Sequence, residues 1–229
     1  MDYQVKQVLT EFSTQLDGYH ALLLARLMNL VVKSNPYALL PVVVEADGGE
    51  RVFEEVADLA IPDDDHLEVY PKLEEHILVI GRGCLEVHPE FKMEEATYKH
   101  GNDDVHFLRF TMPKVDKDRR DVLEQGVKVF YDEAKVQVDA CKAKYQPRLA
   151  EKIVSVPKED SDKAKEQFDN TYDNILQIMK DLVDDKNKEI EEAYQRYLKE
   201  QVSAGQVAQE EEAAQGVDVK SQLIMPTAE

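Results

Sequence analysis

Cysteine is nearly missing: Cys84 and Cys141 are the two in 229 residues. Two thiols build no disulfide framework, so both read as small core residues in a reducing compartment. Long apolar runs are missing too. No stretch approaches the roughly 18–20 residues a membrane helix needs, and no membrane partner is expected. The first thirty residues carry Asp2, Glu11 and Asp17 against Lys6 and Arg26, unlike a secretory signal or an acid-poor transit peptide. Metal-ligand patterns are absent. His20, His66, His76, His88, His100 and His106 form no HExxH or paired spacing, so no metal is expected. Gly81-Arg82-Gly83 lacks the lysine and spacing of a phosphate loop. Asp63-Asp64-Asp65 has no bidentate acid or glycine at calcium-loop spacing and reads as a solvated turn. No nucleophile, base and oxyanion donor come together, so neither an enzyme, a cofactor nor a small-molecule substrate is expected.

Basic residues are scarce: Lys and Arg number 28 against 47 Asp and Glu, a net charge of −19. That argues against general nucleic-acid affinity, which rests on clustered cations neutralising phosphates. The deficit is uneven. Residues 36–112 hold eighteen acids and six bases, net −12, whereas residues 113–158 hold eight and eleven, net +3. If any segment meets RNA, it is the second.

What the chain does have is three helical stripes. Val5, Val8, Leu9, Phe12, Leu16, Tyr19, Leu23, Leu27 and Leu30 repeat at three and four, predicting a helix from about residue 3 to Val32 that ends before Pro36. A second runs from Asp116 to about Lys152 through Leu123, Val127, Ala134, Val138, Cys141, Tyr145 and Leu149, with Pro147 expected to kink or weaken it. Pro157 and the acids after it start a third, carrying Phe168, Tyr172, Ile175, Met179, Leu182, Ile190, Tyr194 and Tyr197. Beyond about Ser203 little remains to bury, and residues 204–229 are expected to be a disordered tail.

Between Pro36 and Pro113 the period changes to two. Leu39-Leu40-Pro41-Val42-Val43-Val44 is a β-rich run closed by the turn Asp47-Gly48-Gly49, and residues 66–70 and 105–112 alternate likewise. Lys72 to Arg82 predicts a short helix stopped by Gly81 and Gly83, and the polar residues 91–104 predict a loop. Helices of about 30, 37 and 45 residues would be ~45–65 Å long at 1.5 Å per residue, and only an elongated antiparallel bundle buries such stripes. The expectation is an α+β protein. Residues 1–34 and 114–203 form a three-helix bundle, and 35–113 form an inserted β-rich subdomain. Pro36, Met112 and Pro113 lie at the paired linkers and are hinge candidates.

Order and residues together resemble the ribosome recycling factor family. Leu108 through Arg120 is similar to that family's linker-and-helix signature, with Arg109, Pro113, Arg119 and Arg120 on its fixed positions. Val42-Val43-Val44-Glu45 with Gly48, Leu67-Glu68-Val69, and Leu85-Glu86-Val87-His88-Pro89 resemble its insert; Asp173 and Lys186 match its last helix. The resemblance spans about residues 5–198. It implies an L-shaped molecule that binds the ribosome through large-subunit rRNA. It also implies help in dissociating post-termination ribosomes, with a GTPase of the elongation factor G type as a further partner. The implied rRNA-binding residues are Lys33, Arg109, Arg119, Arg120, Lys128, Lys135 and Lys142; 128, 135 and 142 share one helix face. Departures point to a second reading. The family's Thr-Gly-Arg-Ala-Ser-Pro turn is here Val31-Val32-Lys33-Ser34-Asn35-Pro36, where Lys33 keeps the charge without the planar fork, and Asp139 reverses a family arginine. That alternative is a repurposed subunit or assembly factor of a divergent mitochondrial ribosome. The mitochondrial matrix or another organelle is the expected location, with the bacterial cytoplasm as the alternative.

Overall fold

The three stripes fold as three long helices: α1 (Tyr3–Asn29), α4 (Lys117–Lys152) and α5 (Lys158–Ser221). The computed structural model describes residues 2–101 and 103–221. Asp2 caps α1 by accepting from Gln4 N–H at 2.8 Å, and Asp116 caps α4 by accepting from Arg119 N–H at 2.9 Å. Such caps satisfy amide groups that a helix start leaves unpaired. The helices meet along the expected positions. Val5, Phe12, Leu16, Leu23, Val127, Val138, Cys141, Phe168, Met179 and Ile190 belong to one buried cluster. Phe12 stacks on Phe168 with ring centroids 4.1 Å apart and leans on Tyr145 at 5.7 Å. Helix α4 continues unbroken through Pro147, and a tight turn at Ile153–Ser155 reverses the chain into α5.

Residues between the linkers build a second core. Strands β1 (Val43–Ala46) and β2 (Gly49–Val52) form a hairpin whose turn residues Asp47 and Gly48 have φ of 55° and 77°. Positive φ at both central positions matches the twist of the flanking strands, and Asp and Gly tolerate it. One turn of helix, α2 (Phe53–Val56), leads into β3 (Ala57–Asp63) and β4 (His66–Pro71). Helix α3 (Ile77–Val87) precedes β5 (Lys92–His100) and β6 (Asp103–Thr111). The second sheet is antiparallel in the order β3-β4-β6-β5. Its inner face, with Leu67, Val69, Leu108 and Phe110, packs with Ile80 and Cys84 of α3 and with Val42 and Val44.

Five expectations are corrected. The β-rich run does not begin at Leu39: Pro36–Leu39 is a tight helical turn and the strand starts at Val43, after Pro41, which has no N–H to give a ladder. Gly81 and Gly83 do not stop a helix; they lie inside α3, which runs to Val87. A Cβ on Gly83 would meet Val44 Cγ1 at 2.8 Å, and one on Gly81 would meet Met93 Sδ at 2.8 Å. These glycines let the helix lie against strands, a packing reason that outweighs their helix-breaking tendency. Residues 92–100 are an edge strand rather than a loop, paired along its whole length with β6. Its polarity is what an edge strand with an open face needs. Helix α1 ends at Asn29, three residues early, because the chain turns at Leu30 and Val31 to enter the linker. Helix α5 runs on to Ser221 instead of giving way near Ser203. The added residues are rich in Ala, Gln and Glu, strong helix formers that extend an existing helix at little cost. Residues 222–229 lie outside the described residues.

Candidate functional site

The predicted basic stripe is partly a set of internal ion pairs. Lys135 donates to Asp139 at 3.0 Å, and Lys142 lies 3.1 Å from Asp169 and 3.9 Å from the Tyr172 ring centroid. Arg120 bonds Glu124 at 3.0 Å, reaches Glu191 at 3.7 Å and covers Tyr194. Asp139 also accepts from the Tyr172 hydroxyl at 2.6 Å. That hydrogen bond, then Lys135, holds the Asp139 carboxyl below the usual range. Lys33 and Lys128 are exposed, and among the described residues no acid pairs with them or with Lys117.

Arg109 and Arg119 sit elsewhere. Arg109 belongs to β6 in the insert, not to the bundle; its Nη2 donates to Glu68 Oε1 at 2.6 Å and its guanidinium lies 5.5 Å from the Phe107 centroid. Arg119 is half-buried where α4 leaves the linker, and its Nη2 donates to the Val31 carbonyl at 3.0 Å. Burial lowers its pKa, and its Nε is the one buried side-chain polar atom without a partner among the described residues. The seven cations therefore do not form one surface. Lys128, Lys135 and Lys142 share α4 with Arg120, Arg119 pins the elbow, and Arg109 faces out from the sheet.

Both linkers cross at that elbow, and here the sequence misses the decisive contacts. Met112 is buried with its N–H donating to the Asp65 carbonyl at 2.8 Å; Ser34 N–H donates to the Asp64 carbonyl, also at 2.8 Å. Pro36 opens a short turn at Pro36–Leu39, and Pro113 is half-buried beside Lys114. Asp63-Asp64-Asp65 is a turn, but not a merely solvated one. Arg196 of α5 and Lys114 bind its side chains, from 132 and 49 residues away. No local pattern marks pairs at such distances. Asp47, Glu75 and His76 also gather with ligand atoms within 4.8 Å of one another. Two exposed carboxylates and one imidazole fall short of a closed four-ligand site.

Comparison with known proteins decides the family. The sequence profile described as "Ribosome recycling factor" matches residues 26–190, more than half of the chain. The chain belongs to the ribosome recycling factor family. A solution structure of ribosome recycling factor superposes with a TM-score of 0.65 at 15% identity, covering 84% of this chain and 100% of the other. A Thermus thermophilus ribosome recycling factor, placed with Escherichia coli elongation factor G on the E. coli post-termination complex, gives 0.53 at 18% identity, covering 81% and 98%. Curated protein sequences give no match. At these identities the structural likeness speaks for the fold: a helical bundle with an inserted antiparallel subdomain, L-shaped as in the family. Within that fold Arg119 is an elbow residue and Arg109 a sheet residue. No helix among the described residues is long and apolar enough to cross a membrane.

Proposed function

We propose that this chain is a translation factor of the recycling type, which binds the ribosome after termination and helps to dissociate it. The observation that carries this is the family match over residues 26–190, on a chain that spans the full length of a solved ribosome recycling factor. It favours recycling over the repurposed-subunit reading, since both bodies and both linkers are kept. The family acts as a translation factor rather than an enzyme, and binding alone is the activity assigned to this chain.

The rRNA contact is assigned to the α4 face. Lys117 and Lys128 on α4, and Lys33 on the first linker, are exposed without an acid partner among the described residues, so they meet a phosphate without first giving up an ion pair. Arg120, Lys135 and Lys142 must exchange a carboxylate for a phosphate, which lowers their advantage but leaves them on the same helix. Arg109 and Arg119 position rather than bind, the first through Glu68 and the second through Val31. Within a net charge of −19, residues 113–158 are net positive, so this face favours approach to RNA, with the acidic insert turned away. The second partner is a GTPase of the elongation factor G type, as in the complex containing the Thermus relative. Lys33 in place of the family's forked arginine and the reversed Asp139 favour a ribosome that has itself diverged, such as one in a mitochondrial matrix.

The test is splitting of post-termination ribosomes by the purified chain with that GTPase and GTP, read by light scattering. Bacterial and mitochondrial ribosomes are compared. Splitting of either supports the reading, and the preferred ribosome decides the location. Tight binding without splitting of either would instead establish the subunit or assembly role.

A further inference from the structure

The two hydrophobic cores are separate, and the boundary between them is abrupt. Val31 belongs to the insert core and Val32 to the bundle core; on the second linker Met112 belongs to the first and Val115 to the second. Among the described residues no apolar seam therefore fixes the angle between the bodies. What spans the elbow is polar. The β3–β4 turn takes backbone hydrogen bonds from both linkers, from Ser34 N–H to Asp64 and from Met112 N–H to Asp65, and the Ser34 hydroxyl donates to the Asp63 carbonyl. The turn's side chains then reach the bundle. Arg196 Nη1 lies 2.8 Å from Asp64 Oδ2, and Arg196 Nη2 lies 3.2 Å from Asp65 Oδ1. Lys114 Nζ lies 2.6 Å from Asp65 Oδ2 and 3.2 Å from Glu200 on α5.

We propose that Asp64 and Asp65 with Arg196 and Lys114 form an electrostatic latch that holds the insert at one angle to the bundle in the free chain and releases it when the charges are screened or removed. Three successive acids repel one another, so the turn keeps this place because cations of the bundle side neutralise it. Arg196 suits the task, since its planar fork engages two carboxylates at once. One exposed ion pair shifts an equilibrium by only about five-fold at most, but three pairs sharing Asp65 and Arg196 act on a single motion. With the linkers short and the cores disjoint, that bias selects between angles without touching the stability of either body. Because its atoms are solvent-accessible, the latch opens with salt, which an apolar seam would not do.

The experiment uses the full chain with spin labels at Glu50→Cys on β2 and Asp184→Cys on α5, both exposed, while the native Cys84 and Cys141 are buried. Pulsed electron double resonance then measures the distance distribution between the bodies. At low salt the parent gives one narrow peak. Molar salt, where the screening length falls to about 3 Å, broadens it, and so does Arg196→Glu. Asp64→Arg in the Arg196→Glu background exchanges the signs of one pair and narrows the peak again. Circular dichroism melts confirm that each variant is folded, and the salt titration of the parent needs no variant at all. A parent distribution already broad at low salt overturns the latch. So does a folded Arg196→Glu chain as narrow as the parent, or a sign-exchanged variant that stays broad.

Discussion

Tyr172 donates its hydroxyl to Asp139 across the seam between α5 and α4, at 2.6 Å. Asp139, which the resemblance sets on a family arginine, is a tie within the bundle. Lys135, one turn earlier on α4, completes it at 3.0 Å. A position that reads from sequence as a lost RNA contact is, in the fold, a helix-to-helix contact.

This tie should be visible as a function of pH. The Tyr172 hydrogen bond and Lys135 depress the Asp139 pKa, so its contribution is present above about pH 4 and is lost as pH falls through the folded value. The hydrogen bond to Asp139 first, then burial, pushes Tyr172 up to about 12, so its share holds below about pH 10 and is lost on the way to that value. Asp139→Asn should cost about 0.5–1.5 kcal/mol at neutral pH and flatten the acid limb of Tm against pH. Tyr172→Phe should flatten the alkaline limb in part, since burial and Glu68 raise Tyr70 to about 12 as well. Calorimetric melts from pH 3 to 11 would show both (~1 pH unit steps suffice). Parallel curves for parent and variants would leave the tie without energetic weight.

The two glycines of α3 should respond differently to alanine. At Gly83 the new methyl would meet the stiff, branched Val44, with the Val43 carbonyl oxygen 3.3 Å away. Overpacking of that kind costs about 1–3 kcal/mol, against a helix-propensity gain of roughly 1 kcal/mol. At Gly81 the nearest atoms are the flexible end of Met93 and a Leu108 methyl, which can move aside. Gly83→Ala should therefore lower the urea midpoint, and Gly81→Ala should leave it nearly unchanged or raise it. Equal effects at both sites would mean that the helix shifts as a body.

Cysteine chemistry gives a test of the two cores at once. Burial pushes the Cys84 thiol up to about 12 and raises Cys141 as well. Neither should react with a thiol reagent at pH 8 until its own body unfolds, because the thiolate is the reacting form. With separate cores, a denaturant titration should release the two thiols at different midpoints, resolved by mass spectrometry of labelled peptides. A single shared midpoint would show that insert and bundle unfold as one unit.

Charge reversal should rank the lysines of α4. Lys128→Glu removes an unpartnered cation and should weaken ribosome binding several-fold, lowering the slope of log affinity against log salt by about 1. Lys135→Glu leaves Asp139 facing a like charge and should lower Tm in addition, since its loss is felt inside the bundle. Filter binding over a salt series and a melt for each variant separate the two. If both bind like the parent, the α4 face is not the contact, and the paired and unpaired lysines are alike solvated surface.

Sequence alone determined the three helices, the residues that meet between them and the β-rich insert, because apolar period and helix punctuation are local and long stripes leave few ways to be buried. Leu16, Val127 and Met179 were marked for the core by spacing alone, and they lie in it. The motif from Leu108 to Arg120 was enough to point to the family. What Arg109, Arg119 and Arg120 do was not readable, since a motif fixes where a cation sits in the chain and not which acid or carbonyl the fold brings to it. The same holds for Gly83, whose role depends on Val44 packing from 39 residues away, and for residues 92–100, whose strand exists because β6 supplies its hydrogen bonds. Only the tertiary structure joined Asp64 to Arg196: an ion pair needs two charges near in space, and 132 residues of chain leave no local trace of that nearness.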